Sequence, residues 1–263
     1  QIIVHQIPPT MNHAILTIFL AFGALLTSAD AQKDQKKASA APGKDFKTGR
    51  IKGPVGQLYY DDGGQGGIPV VFVHSFGGST DHWKSQLKYF RKDRRVIALD
   101  LRAHGRSDAP KTMDYGVPSL ADDISAVVDS LGLKRFVLVG HSMGGAAAVA
   151  YAGQHPERVA GLVMSGTPGK SSEEQSKPII ASLESDQYDK VMRDYTDKML
   201  KNATPAVDSM ERAGMKRFSK STNLAIIKSI FEYDPLIALK KYPGPKLIIG
   251  TDAEEQPGSL HTQ

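Results

Sequence analysis

From about residue 55 onward the chain alternates short apolar runs with amphipathic stretches. The runs 69-PVVFVH-74, 95-RVIALD-100, 136-FVLVG-140, 158-RVAGLVMSG-166 and 246-KLIIG-250 are almost continuously apolar, as strands buried on both faces of a parallel sheet must be. Helical spacing separates them. Trp83, Leu87 and Phe90 recur behind a Ser79-Thr80-Asp81 cap cluster. Leu120, Ile124, Val127, Val128 and Leu131 form a single stripe, with Ser119 predicted as the N-cap and Gly132 as the stop. A helix of small residues follows residue 140 and runs through Ala150. Ahead of all these, 55-VGQLYYDDGGQG-66 predicts a hairpin with a glycine-rich turn. The alternation predicts an α/β fold, a mostly parallel sheet with crossover helices.

The rhythm breaks after Gly166. About 80 residues separate that run from the next, where one crossover helix would suffice. The interval is amphipathic and helical, as in 184-ESDQYDKVMRDYTDKMLKN-202 and 222-TNLAIIKSIFEY-233. It predicts an inserted helical cap over about 167–243 whose last helix completes the crossover. A cap placed there roofs the carboxyl ends of the strands, where α/β folds bind ligands.

The start of the chain reads differently. Ala14 to Leu26 is an apolar run of about 13 residues, too short to span a bilayer and suited to a signal-peptide core. Ala29 and Ala31 make a small-x-small cleavage site, so residues 1–31 are expected to be upstream residues plus a signal peptide and the protein to be exported, periplasmic or secreted. Residues 32–54 are Lys-rich and poor in apolar groups, which predicts a disordered basic linker. That segment carries a net charge of +5, equal to the formal net charge of the whole chain, and the rest sums to neutral. The basic balance therefore gives no reason to expect a nucleic-acid groove. With no cysteine among 263 residues, disulfides, thiolate metal sites and thiol nucleophiles are excluded. No metal-ligand spacing, P-loop or dinucleotide fingerprint is present, so no cofactor is expected.

One stretch carries chemistry. In 136-FVLVGHSMGGAAA-148 a buried run leads straight into Gly140-His141-Ser142-Met143-Gly144, and a small-residue helix leaves it. A strand–turn–helix of this kind exposes the serine hydroxyl on a strained turn. It also sets the Met143 N–H at a helix N-terminus, aimed where an oxyanion would develop. Two further loops follow predicted strands, 74-HSFGGS-79 and 100-DLRAHGRSD-108. The first offers a backbone N–H, from Phe76, as a second oxyanion donor.

In this order and spacing the three stretches resemble the α/β-hydrolase superfamily, in its capped serine-hydrolase branch, over roughly residues 55–263. The family's loops usually read H-G-x-G-G, D-x-R-G-H-G-x-S and G-H-S-M-G-G. Here Ser75 and Ala103 stand where glycine is usual, while the third motif is intact. The Ser142 nucleophile separates the chain from the branches that carry Asp there and implies acyl chemistry on a small-molecule ester or related carbonyl substrate.

The resemblance also implies an acid and a histidine after Ser142 in the chain. The acid should follow 246-KLIIG-250, which makes Asp252 the candidate. The histidine needs a further helix and strand, and His261 lies only nine residues past Asp252. His74 and His104 belong to the loop motifs as scaffold, His141 faces away from its neighbour Ser142, and His155 marks a helix end. The expectation is a C-terminally incomplete domain whose base lies beyond residue 263. The competing expectation is a hydrolase-like binding protein without catalysis, or a decayed gene fragment.

Overall fold

The computed structural model describes residues 46–250 together with Leu260. The predicted signal segment, most of the basic linker, Asp252 and His261 lie outside the described residues. Seven strands form one sheet: β1 (Phe46–Lys52), β2 (Gln57–Gly63), β3 (Val70–Val73), β4 (Val96–Leu99), β5 (Phe136–His141), β6 (Val159–Ser165) and β7 (Lys246–Ile249), in the order β1-β2-β4-β3-β5-β6-β7. β1 pairs antiparallel with β2 and β2 with β4, and the remaining pairs are parallel.

β1 corrects two expectations. Residues 46–52 were expected in the disordered linker, and the hairpin was expected within 55–66; instead the hairpin is β1–β2, turning at 53–56. The physical reason lies in the position of the strand. β1 is an edge strand held by its backbone ladder, with Lys47, Arg50 and Lys52 exposed. Charged residues protect such an edge from pairing with other chains, so composition alone makes it look like a linker.

Strands β3 and β4 are buried at every position, and alternate residues point to opposite faces. Phe72, Val96, Ala98, Val137 and Val139 meet Trp83, Leu87 and Phe90 from helix α1 (Lys84–Phe90) and the 3-10 turn before it. Val71, Val73, Ile97, Leu99 and Leu138 face helices α2 (Val117–Ser130) and α3 (Met143–Gln154). Leu120, Ile124, Val127 and Val128 of the α2 stripe are buried as their spacing predicts, Leu131 is half-buried at the C-cap, and Gly132 ends the helix at φ 68°. Its N-cap, however, is Gly116 and not Ser119. Pro118 fits the first turn without losing a hydrogen bond, which extends the helix upstream.

Five helices fill the interval between β6 and β7: α4 (Glu173–Glu184), α5 (Tyr188–Met199), α6 (Pro205–Met215), α7 (Lys220–Glu232) and α8 (Pro235–Leu239). The expected 184–202 helix begins instead at Tyr188, because the chain turns extended at Ser185. α8 packs back on α3, with Ala238 so close to Gly153 that a side chain there would meet its Cβ at 2.8 Å. Among the described residues no helix is long and apolar enough to cross a membrane.

Ala103, in the loop after β4, adopts φ 63°, a left-handed conformation that only glycine takes without steric cost. Ala103→Gly is therefore expected to stabilise the chain by about 1 kcal/mol, seen as a raised thermal midpoint. An unchanged or lowered midpoint would show that the alanine methyl, buried in the core, compensates for the strain.

Candidate active site

Register brings the three loops together. Val73 is paired with Leu99 on one side and Gly140 on the other, so the chains leaving β3, β4 and β5 emerge side by side at the carboxyl edge of the sheet. His141 is paired with Ser165 and Ser165 with Ile249, so the chain leaving β7 emerges at the same edge, two strands from Ser142.

The turn from β5 into α3 is built around Ser142, at φ 50° and ψ −117°. A non-glycine residue held there stores strain of about 1–3 kcal/mol, which only dense surroundings maintain. The glycines supply that density. A Cβ on Gly140 would lie 2.6 Å from the Gly145 Cα, and one on Gly144 would lie 2.6 Å from the Val73 carbonyl oxygen. The strand, the helix and the loop after β3 therefore approach at backbone contact. The Ser142 N–H donates to the Ser165 carbonyl at 2.8 Å, while its side chain makes no capping hydrogen bond to α3. A serine serving only as N-cap would accept from the first-turn N–H groups. This one does not.

Met143 is the first residue of α3, so its N–H has no partner within the helix. The Phe76 N–H likewise donates to no group among the described residues. Ser75 sits at an ordinary negative φ, so serine in place of the usual glycine does not strain the loop; Gly77, at φ 74°, takes the left-handed position. The Ser75 carbonyl accepts from the Gly78 N–H at 2.9 Å and from His74 Nδ1 at 2.7 Å, which holds the turn that presents Phe76.

The loop after β4 is anchored by ions. Arg102, 1% exposed, donates from Nε and Nη2 to the Asp123 carboxylate at 2.9 and 2.8 Å and from Nη1 to Asp114 at 3.0 Å. Asp100 accepts the Thr80 N–H at 2.6 Å and the Arg106 N–H at 2.7 Å, tying that loop to the 3-10 turn. Burial raises the Asp100 carboxyl above the usual range, against the pull of those donors.

The histidines take distinct roles. His74 uses both ring nitrogens, Nδ1 on the Ser75 carbonyl and Nε2 accepting the Leu101 N–H at 3.0 Å, and burial holds its pKa well below the ordinary value. It is scaffold. His141 is depressed to about 4 by burial. His155 sits at the end of α3 against Tyr151. His82 is a residue that no motif pointed to. Its Nε2 lies 3.5 Å from Glu211 Oε1 of α6, joining the 3-10 turn to the helices above it. Burial raises Glu211 to about 6 and lowers His82. Such a pair depends on docking between distant segments and leaves no trace in spacing.

The helices after β6 close over these loops. Gly77 and Gly214 approach so tightly that a Cβ on Gly214 would lie 2.9 Å from the Gly77 carbonyl carbon. Phe218 stacks on Phe76 at 5.6 Å between centroids. Among the described residues no cluster of ligating side chains suits a metal ion.

A family model described as the alpha/beta hydrolase fold matches residues 68–248. The chain belongs to the alpha/beta hydrolase family. Within it, the chain is 40% identical over 112 residues to the dihydrolipoyllysine-residue acetyltransferase component of the acetoin cleaving system of Pseudomonas putida, covering 42% of this chain and 30% of that protein. It is 37% identical over 124 residues to epoxide hydrolase 4 of Mus musculus, covering 46% and 34%. These matches thus span about a third of the length of the curated relatives. Among solved structures, an enol-lactonase from Burkholderia xenovorans superposes with a TM-score of 0.64 at 24% identity, covering 76% of this chain and 80% of that one. At that identity the likeness establishes the fold.

Proposed function

We propose that the protein is a serine hydrolase acting on a carboxylic ester or related acyl substrate. The observation that carries this reading is Ser142 itself, strained at φ 50° and uncapped, with the N–H groups of Met143 and Phe76 donating to no loop or side-chain group among the described residues. Ser142 Oγ attacks the carbonyl carbon, the carbonyl π pair moves to oxygen, and the two N–H groups hold the oxyanion. Collapse expels the alcohol, which takes the proton that a histidine removed from Ser142, and water then releases the acid. Asp252 is the proposed acid. None of His74, His104, His141 and His155 suits the base, and His82 Nε2 faces Glu211 of α6, so the proposed histidine comes from outside the described residues. Export, read from the apolar run before Leu26, belongs to the same proposal.

The serine separates this reading from epoxide opening, which in related enzymes uses an aspartate at that position. With p-nitrophenyl butyrate, a burst of nitrophenolate equal to the enzyme concentration is expected before the steady state, marking an acyl-enzyme. Styrene oxide should not be turned over. Diol formation from the epoxide without an ester burst would overturn the proposal.

A further inference from the structure

We propose that helix α6 positions the oxyanion hole: through Gly214 it holds the turn at residues 75–78 in the shape that aims the Phe76 N–H, so this donor works only with the cap docked. The inference deepens the serine-hydrolase reading and rests on it. The Gly78 N–H donates to the Ser75 carbonyl at 2.9 Å and Gly77 takes φ 74°, so residues 75–78 form a tight turn with Phe76 and Gly77 at its apex. The Ser75 carbonyl and the Phe76 N–H share one peptide plane and point in opposite directions. The core grips the carbonyl of that plane through His74 Nδ1 at 2.7 Å. The apex is gripped by the cap.

A Cβ on Gly214 would lie 2.9 Å from the Gly77 carbonyl carbon, and one on Gly77 would lie 2.9 Å from Met215 Sδ. Just past the end of α6, Phe218 stacks on Phe76 with the ring planes 19° apart. His82 Nε2, beyond the turn, faces Glu211 Oε1 at 3.5 Å. Residues 211–218 therefore bear on residues 76–82, including both apex residues of the turn. Backbone conformation does not call for glycine at 214. That residue lies inside α6 at a negative φ, where glycine weakens a helix relative to alanine. What calls for it is the Gly77 carbonyl, which occupies the room a side chain would need. A methyl group at 214 must push the turn inward or lift α6 away. Either way the apex loses the contact that holds it, and Gly214 is a positioning residue.

The test replaces Gly214 by Ala in the full chain and follows p-nitrophenyl butyrate. Misplacing one oxyanion donor should lower kcat by about a hundredfold while KM stays in place. Inhibition by an aliphatic trifluoromethyl ketone, whose serine adduct carries an oxyanion, should weaken by a similar factor. Inhibition by butyrate, which forms no such adduct, should not change. Phe218→Leu, which keeps an apolar contact but loses the stack, should move the same quantities in the same direction by a smaller factor. A cap that only roofs the pocket would instead raise KM and weaken butyrate binding with kcat unchanged, and that result would overturn the proposal. A second readout needs no turnover: the Phe76 amide resonance should shift in Gly214→Ala while the amides of β5 stay in place. An unmoved Phe76 amide would also overturn it. If the unmodified protein gives no ester burst yet the amide shift appears, the nucleophile assignment fails and the hold of α6 on the turn stands.

Discussion

Ser142→Ala is expected to lower ester turnover by about a millionfold, to the level left by binding and the oxyanion donors alone. The magnitude follows from the covalent role proposed for this residue. Without Oγ no acyl-enzyme forms, and nothing else on the turn replaces it. The Ser142 side chain makes no capping bond, so its removal costs the helix nothing there, and the variant should fold with an unchanged melting temperature. Folding and activity should therefore separate cleanly. A loss of only a few fold would mean that the strained turn serves another purpose.

The largest effect on stability is expected at Asp123. Its carboxylate is fully buried and accepts Arg102 Nε and Nη2 together with the Arg102 backbone N–H at 3.0 Å. Truncation by Asp123→Ala strands a buried guanidinium with, among the described residues, only the half-exposed Asp114 and the Ser119 and Asp114 carbonyls as partners. Breaking a buried pair from one side costs about 3–5 kcal/mol, a large part of the stability of a domain. Urea titration should show the midpoint falling accordingly. Replacing both partners with apolar residues of similar size, as in Arg102→Met with Asp123→Leu, should recover most of the loss. If the double variant is no better than Asp123→Ala, the pair does more than satisfy its own charges, and the loop carrying His104 depends on it for shape.

The fold was legible wherever burial imposes a pattern. Strands β3, β4 and β5 read as apolar runs because both faces are covered, and the α2 stripe read clearly because one face is. β1 did not, since an edge strand is held by backbone pairing and its exposed lysines resemble those of a linker. The start of α2 was misplaced because Ser119 has cap chemistry but Pro118 sets the first turn. Two of the three motif loops supplied the candidates Ser142, Met143 and Phe76, and the register of β3 against β4 and β5 brings the starts of all three loops to one edge of the sheet. Three further features could not be read from spacing. The substitution of Ala103 for glycine was visible in the sequence, but the strain at φ 63° follows only from the path of the loop. The His82–Glu211 pair and the contact of Phe218 with His104 form only when the helices after β6 dock on loops far away in the chain. Spacing encodes neighbours within an element, not partners brought together by docking.

Covalent labelling reads the proposed nucleophilicity of Ser142 without any choice of substrate. A fluorophosphonate probe reacts with a serine only when its oxygen has been made nucleophilic. Mass spectrometry of the labelled and digested chain should place one phosphonyl group on the peptide containing Ser142, with none on Ser142→Ala. A folded chain that remains unlabelled, or one labelled at another serine, would rule out Ser142 as the nucleophile.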